Sequence, residues 1–136
     1  MRGIFEGGMT LGNEVWFWPE AEGQGLAAVA ASLAQAIGGA SVALEVGVSG
    51  GPWPCTRAYR WPGVGLRGPE VAAALAHLVG QERPRALLVP ASPLGEEVAA
   101  RVAASLRLGL LAQCARLEVG QAGELWALRP AYGRRA

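Results

Sequence analysis

One stretch, Arg85 to Cys114, constrains the fold more than any other, because it spells a strand, a turn, a helix and a second strand without interruption. Ala86–Val89 is an apolar run of strand length bounded by charge and proline, the form taken by a strand that helices cover on both faces. Ser92 before Pro93 has the order of a helix N-cap followed by a first-turn proline. Leu94, Val98, Val102 and Leu106 recur every four residues, with Glu96, Glu97, Arg101 and Arg107 off that stripe, as in a helix with one buried face. Gly109 is placed to end this helix in a left-handed conformation, and Leu110-Leu111-Ala112 to start the next buried strand. Such a βαβ unit implies an α/β fold with a mainly parallel sheet.

The flanking chain supplies further units of the same kind. Residues 1–13, with Gly7-Gly8 and Gly12, show no period and read as an irregular N-terminal arm; residues 14–136 read as one domain. Glu14–Trp18 is a bulky, nearly all-apolar strand. Leu26, Val29, Ala30, Leu33 and Ile37 fall at helical spacing before Gly38-Gly39, and Ser41–Val48 alternates as a strand, with Glu45 as its exception. Between this strand and the next candidate, Thr56–Trp61, stand only Ser49 to Cys55. A parallel crossover normally needs a dozen or more residues, so either an irregular loop makes it or Thr56–Trp61 pairs in another way. Pro69 opens a helix with Val71, Leu75, Leu78 and Val79 on one stripe, ending at Gly80. Residues 115–119 and 125–129 flank Gly120-Gln121-Ala122-Gly123 as a C-terminal β-hairpin.

What the chain lacks excludes whole classes of chemistry. It contains no lysine and no aspartate, which removes a Walker lysine, a Schiff-base lysine and an aspartyl nucleophile. With one histidine, His77, and two distant cysteines, Cys55 and Cys114, neither a metal cluster nor a disulfide framework is expected. A formal charge of +1 gives no footprint for nucleic acid, and no apolar run has the length of a membrane span. No secretion signal opens the chain, so a cytoplasmic protein is expected.

Few residues offer themselves for chemistry. The turn Pro90 to Gly95 lies where a strand ends and a helix begins, the place where α/β sheets collect anionic ligands. Ser92 and Gly95 are therefore the candidates for an anion or nucleotide site, although capping by Ser92 and close packing at Gly95 account for them more simply. Ser49, in Gly47-Val48-Ser49-Gly50-Gly51, has neither the following helix nor the aspartate of a nucleophile elbow. His77 has no carboxylate or cysteine at metal spacing, and no catalytic residue is assigned. Trp16, Trp18 and Trp61 suit strands and a core, whereas Trp53 between two prolines and Trp126 on the hairpin suit exposed anchors.

From Glu14 to Tyr132 these features resemble the N-terminal domain of the electron-transfer flavoprotein alpha subunit. Glu14–Trp18 aligns with that family's opening Val-Leu-Val-Val-Ala-Glu. Ser92-Pro93-Leu94-Gly95, Ala100-Arg101-Val102-Ala103-Ala104-Ser105-Leu106 and Arg129-Pro130-Ala131-Tyr132-Gly133 then match its turn, its helix and the end of its hairpin, in the same order. The departures are the short 49–55 connection, Gln113 where aspartate is common, and Gly133-Arg134-Arg135 in place of Ala-Gly-Asn. The resemblance implies a three-layer α/β/α Rossmann-like fold of the adenine nucleotide alpha hydrolase-like type. In the family the FAD-binding domain begins where this sequence stops, so no flavin is expected and the protein should be colourless. The implied role is a non-catalytic assembly or interaction module. The alternative is a small AMP- or ATP-binding protein resembling universal stress proteins, centred on Ser92 and Gly95. The implied partner is a second copy in a homodimer, or a flavoprotein beta-like subunit, with Trp126, Leu128, Arg129 and Tyr132 as interface candidates.

Overall fold

Apolar runs too short to shield themselves pair into a sheet and take helices on both faces. The computed structural model describes residues 2–5, 13–20, 24–47, 53–61, 65, 67–111, 116–120 and 125–128. In chain order these form β1 (Arg2–Phe5), β2 (Glu14–Phe17), α1 (Gln24–Ala36), β3 (Ala40–Val46) and β4 (Arg57–Trp61). There follow α2 (Gly68–Glu82), β5 (Ala86–Val89), α3 (Pro93–Leu106), β6 (Gly109–Leu111), β7 (Arg116–Val119) and β8 (Leu125–Leu128). Six strands make one sheet in the order β4-β3-β2-β5-β1-β6, and β7 and β8 pair separately as an antiparallel hairpin. β4, β3, β2 and β5 run parallel to one another, as the buried runs require.

Alternation along the strands sorts the core into two halves. Trp16, Trp18, Val42, Leu44, Val46, Leu87 and Val89 face α2 and α3, meeting Val71, Leu75, Val79, Val98 and Val102. Val15, Phe17, Ala43 and Leu88 face α1, meeting Ala27, Ala30, Leu33 and Ala34. The result is the three-layer α/β/α arrangement. Trp18 is fully buried, and its indole N–H donates to the Val46 carbonyl at 2.9 Å, which ties β3 to the end of β2.

Four local expectations are corrected. Residues 2–5 are not irregular: β1 lies antiparallel between β5 and β6, opposite Ala86–Val89 on one side and Gly109–Leu111 on the other. The βαβ unit is thus opened by an inserted strand, and β6 does not pair with β5. The helix stops also differ. α2 runs on to Glu82 and α3 ends at Leu106, and their left-handed caps are Arg83 (φ 51°) and Arg107 (φ 56°), not Gly80 and Gly109. Each arginine gives its backbone N–H to a helix carbonyl, of Val79 and Ala103, which offsets a left-handed cost of about 1 kcal/mol. Finally, Trp53 is 8% exposed and packs into the α1 side of the core, so it is no surface anchor.

The short connection between the second and third parallel strands does make a parallel crossover. β4 pairs with β3 from Val42↔Arg57 to Val46↔Trp61. Just before it, Thr56 N–H donates to the Ser41 carbonyl at 2.9 Å, and Ser41 N–H to the Thr56 hydroxyl at 3.2 Å, fastening the entry to the strand.

Candidate functional site

The carboxyl ends of β2, β3 and β5 meet the amino ends of α2 and α3, and here an α/β sheet of this kind would present a ligand site. After β5 the chain turns through Pro90 and Ala91 to Ser92, whose extended backbone (φ −88°, ψ 165°) is that of an N-cap. Its hydroxyl accepts the Gly95 N–H at 2.9 Å, while the Glu96 N–H reaches the Ser92 carbonyl at 2.8 Å. The expected cap therefore forms, with Pro93 in the first turn. Gly95 is buried beneath the Pro90 carbonyl: a Cβ there would stand 2.0 Å from that oxygen.

Two further groups complete this end, of which Glu20 was not singled out in the sequence. After β2, Pro19 is buried and Glu20 takes a left-handed conformation (φ 50°) that swings its carboxylate onto Ser92, which donates its hydroxyl proton to Oε1. The signal for Glu20 lay in the opening motif Val-Leu-Val-Val-Ala-Glu, whose final glutamate falls on Glu20 when its first valine is set on Val15. At the start of α2, Arg67 occupies the cap position with its side chain paired to Glu70 at 3.6 Å and not to the helix amides, and Gly68 is pressed against the carboxylate of Glu97 from α3. A Cβ on Gly68 would lie 2.3 Å from the Glu97 carboxyl carbon. Glu97 also accepts from Arg101 at 2.9 Å, and Glu70 accepts the Gly65 N–H at 3.2 Å.

These contacts decide what the end of the sheet can hold. A helix amino terminus attracts anions through its free amides and dipole. Here the protein's own carboxylates already stand at both: Glu20 on the cap of α3, and Glu97 against the first residue of α2. A phosphate would meet like charge at the cap of α3, while at α2 Glu97 is paired with Arg101 and Glu70 with Arg67. Ser92 and Gly95 are adjacent, as the sequence implied, but they are joined to a carboxylate instead of framing an open anion nest.

A second polar cluster sits at the opposite, amino end of the strands. Glu14 at the start of β2 takes two hydrogen bonds from the Arg57 guanidinium of β4, one from Nη2 at 2.9 Å and one from Nη1. The Trp16 indole adds a third at 2.9 Å. Arg57 also stacks over Tyr59, 5.3 Å from the ring centroid, and the Tyr59 hydroxyl donates to Glu82 at 3.2 Å. Asn13, Gly39, Ala40 and Pro84 join Glu14, Arg57 and Glu82 around an open cleft of about 500 Å³. Because β3 lies between β2 and β4, the Arg57–Glu14 pair is a clasp across three strands.

The clasp gives a pH prediction. Bonds from Arg57 hold the Glu14 carboxyl below its ordinary range, outweighing the opposite push of burial, and the Trp16 bond adds to them. The same contact, with Tyr59, holds Arg57 above its usual value. A carboxyl depressed on folding contributes stability that is fully present above its unfolded value, about pH 4.3, and is lost as pH falls through the folded value. Both partners are partly exposed, so we expect Glu14→Gln to cost only about 0.5–1 kcal/mol at pH 7. Urea midpoints measured from pH 7 to pH 3 should converge for the variant and wild type at the acid end. A constant gap would show that the clasp is not electrostatic.

The remaining candidates do not converge. His77 is exposed on α2 and packs edge-to-face on Trp61, centroids 5.7 Å apart. Cys55 is half-buried beside the α1 core. Among the described residues no three metal-binding side chains cluster, and no helix is long and apolar enough to cross a membrane. Trp126 and Leu128 fall in β8; Ser49, Gln113, Cys114, Arg129 and Tyr132 lie outside the described residues.

The profile of one family, described as electron transfer flavoprotein domain, matches residues 67–136. Protein FixB of Bradyrhizobium diazoefficiens is 40% identical over 67 residues, which are 49% of this chain and 18% of that protein. The electron transfer flavoprotein subunit alpha of Thermoanaerobacterium thermosaccharolyticum is 36% identical over 62 residues, 46% of this chain and 19% of its own length. Subunit LctC of the lactate dehydrogenase (NAD(+),ferredoxin) of Acetobacterium woodii is 39% identical over 62 residues, 46% of this chain and 15% of that subunit. The matched stretch thus spans less than a fifth of each of these relatives.

Proposed function

The chain belongs to the electron transfer flavoprotein domain family, and on that premise we propose that it is a non-catalytic assembly and interaction module related to the alpha subunit, acting in the cytoplasm and holding no flavin in this domain. The observation that carries the reading is the state of the sheet's carboxyl end. Glu20 on Ser92 sets negative charge at the cap of α3, where the pyrophosphate of a flavin or the phosphates of AMP or ATP would need positive potential. The same observation argues against the adenine-nucleotide alternative.

Two of the similar proteins carry the word subunit in their names, which supports a role inside an assembly. In this reading the C-terminal hairpin, β7 and β8 with Arg129 and Tyr132 beyond it, is the surface offered to a flavoprotein beta-like subunit. Trp126 and Tyr132 are its aromatic anchors. The purified protein is expected to be colourless and to give no binding heat with AMP or ATP. It should bind a purified electron transfer flavoprotein beta subunit on gel filtration, about tenfold more weakly after Trp126→Ala with Tyr132→Ala. A stoichiometric oxidised-flavin band that survives gel filtration, or micromolar nucleotide binding, would overturn the reading.

A further inference from the structure

The six-stranded sheet ends at β4, and no described strand covers its outer side. An edge strand of this kind presents a row of unpaired backbone N–H and C=O groups. Proteins usually blunt such an edge with charges, proline or a bulge. Here Arg57–Trp61 contains no proline, and its register with β3 advances without a bulge. It does contain two arginines, each exposed and each paired with a carboxylate of the sheet. Arg57 is clasped to Glu14, and Arg60 gives its Nε proton to the buried carboxylate of Glu45 at 2.7 Å. Their charges are met by carboxylates on β2 and β3, and no described strand pairs with the outer backbone edge.

We propose that β4 is a self-association surface on which a second copy of this chain adds its own β4, antiparallel about a two-fold axis, to make one continuous sheet. The occupant follows from reading Arg57-Ala58-Tyr59-Arg60-Trp61 against itself. In the fully overlapping register Arg57 stands opposite Trp61 of the other copy, Ala58 opposite Arg60, and Tyr59 opposite Tyr59. Every arginine meets a residue that is not an arginine: a flat aromatic on the α2 face, a methyl group on the α1 face. Aromatic pairs and cation–π contacts favour a cross-strand pairing, and like charges directly opposite would oppose it. A two-fold arrangement is also the commonest closed form for self-complementary surfaces. This surface lies outside the 67–136 family match and at the sheet edge opposite β6, so it leaves the hairpin for a different partner.

Ala58 provides the test because it is exposed and faces Arg60 of the other copy twice in the dimer. Ala58→Arg sets like charges opposite each other at both crossings, and Ala58→Glu sets opposite ones. Sedimentation equilibrium across the micromolar range should give a dimer for wild type. Its dissociation constant should rise about tenfold in Ala58→Arg and fall several-fold in Ala58→Glu. A purely steric or folding effect would shift both variants the same way. Amide exchange in residues 57–61 should slow as the protein is concentrated. A monomer at all concentrations, equal shifts in the two variants, or a dimer dissolved by Trp126→Ala with Tyr132→Ala alone would overturn the proposal.

Discussion

Gly95→Ala and Gly95→Val should both lose about 3–5 kcal/mol of stability, with most of the loss already present in the alanine variant. The cause is the first carbon of any side chain, which would lie 2.0 Å from the Pro90 carbonyl oxygen and 2.9 Å from its carbon. That oxygen cannot retreat easily. β5 is held on one side by β2 and on the other by β1, and Gly95 is itself fixed by its bond to Ser92. The melting temperature should fall by about 10–20 °C for a chain of this size. An alanine variant that melts with the wild type would mean that the turn can open. The result also limits what Gly95 can report: loss of a ligand in Gly95→Val would follow from a damaged strand-to-helix junction, whatever the ligand.

The second large effect is expected from Ile4→Pro. β1 is an interior strand, paired through Ile4 with Leu87 of β5 and Leu110 of β6. Proline removes a ladder donor and sets a ring where the backbone of a neighbour must pass, at about 3 kcal/mol or more. Amides of 86–89 and 109–111 should lose exchange protection, while those of 40–46, on the far side of β2, keep theirs. Wild-type protection at 109–111 in this variant would show that β1 does not hold β6 in the sheet.

How far the sequence foretold this arrangement depends on the range of the interaction concerned. The stripe Leu94, Val98, Val102, Leu106 and the Ser92 cap are local patterns, and α3 stands where they indicate. The resemblance to the alpha subunit rested on the same contiguous text, Ala-Arg-Val-Ala-Ala among it, and the family match falls over that half. β1 was not legible, because nothing in Arg-Gly-Ile-Phe indicates a strand until β5 and β6 stand apart to receive it. The left-handed caps at Arg83 and Arg107 were missed for a different reason: glycines were nearby, but the helices ended where their carbonyls found backbone donors. Glu20 acts on a serine 72 positions away, and that distance hid the closing of the anion site more than any ambiguity in the residues.

The inserted strand has a consequence for synthesis. β1 leaves the ribosome before either of its neighbours: β5 follows only at residues 86–89, and the two-sided slot is complete only once residues 109–111 have been made. Until then β2, β3, β4 and β5 can assemble around α1 and α2 in the order of their translation, each finding a partner already present. β1 cannot, and it must wait as an unpaired strand through most of elongation. Its docking is the longest-range closure in the sheet and should therefore be among the slowest steps of folding. A nascent chain arrested before β5 would display both a free β1 and a bare β2 edge, the state in which this protein is most open to capture by a chaperone or by another copy of itself.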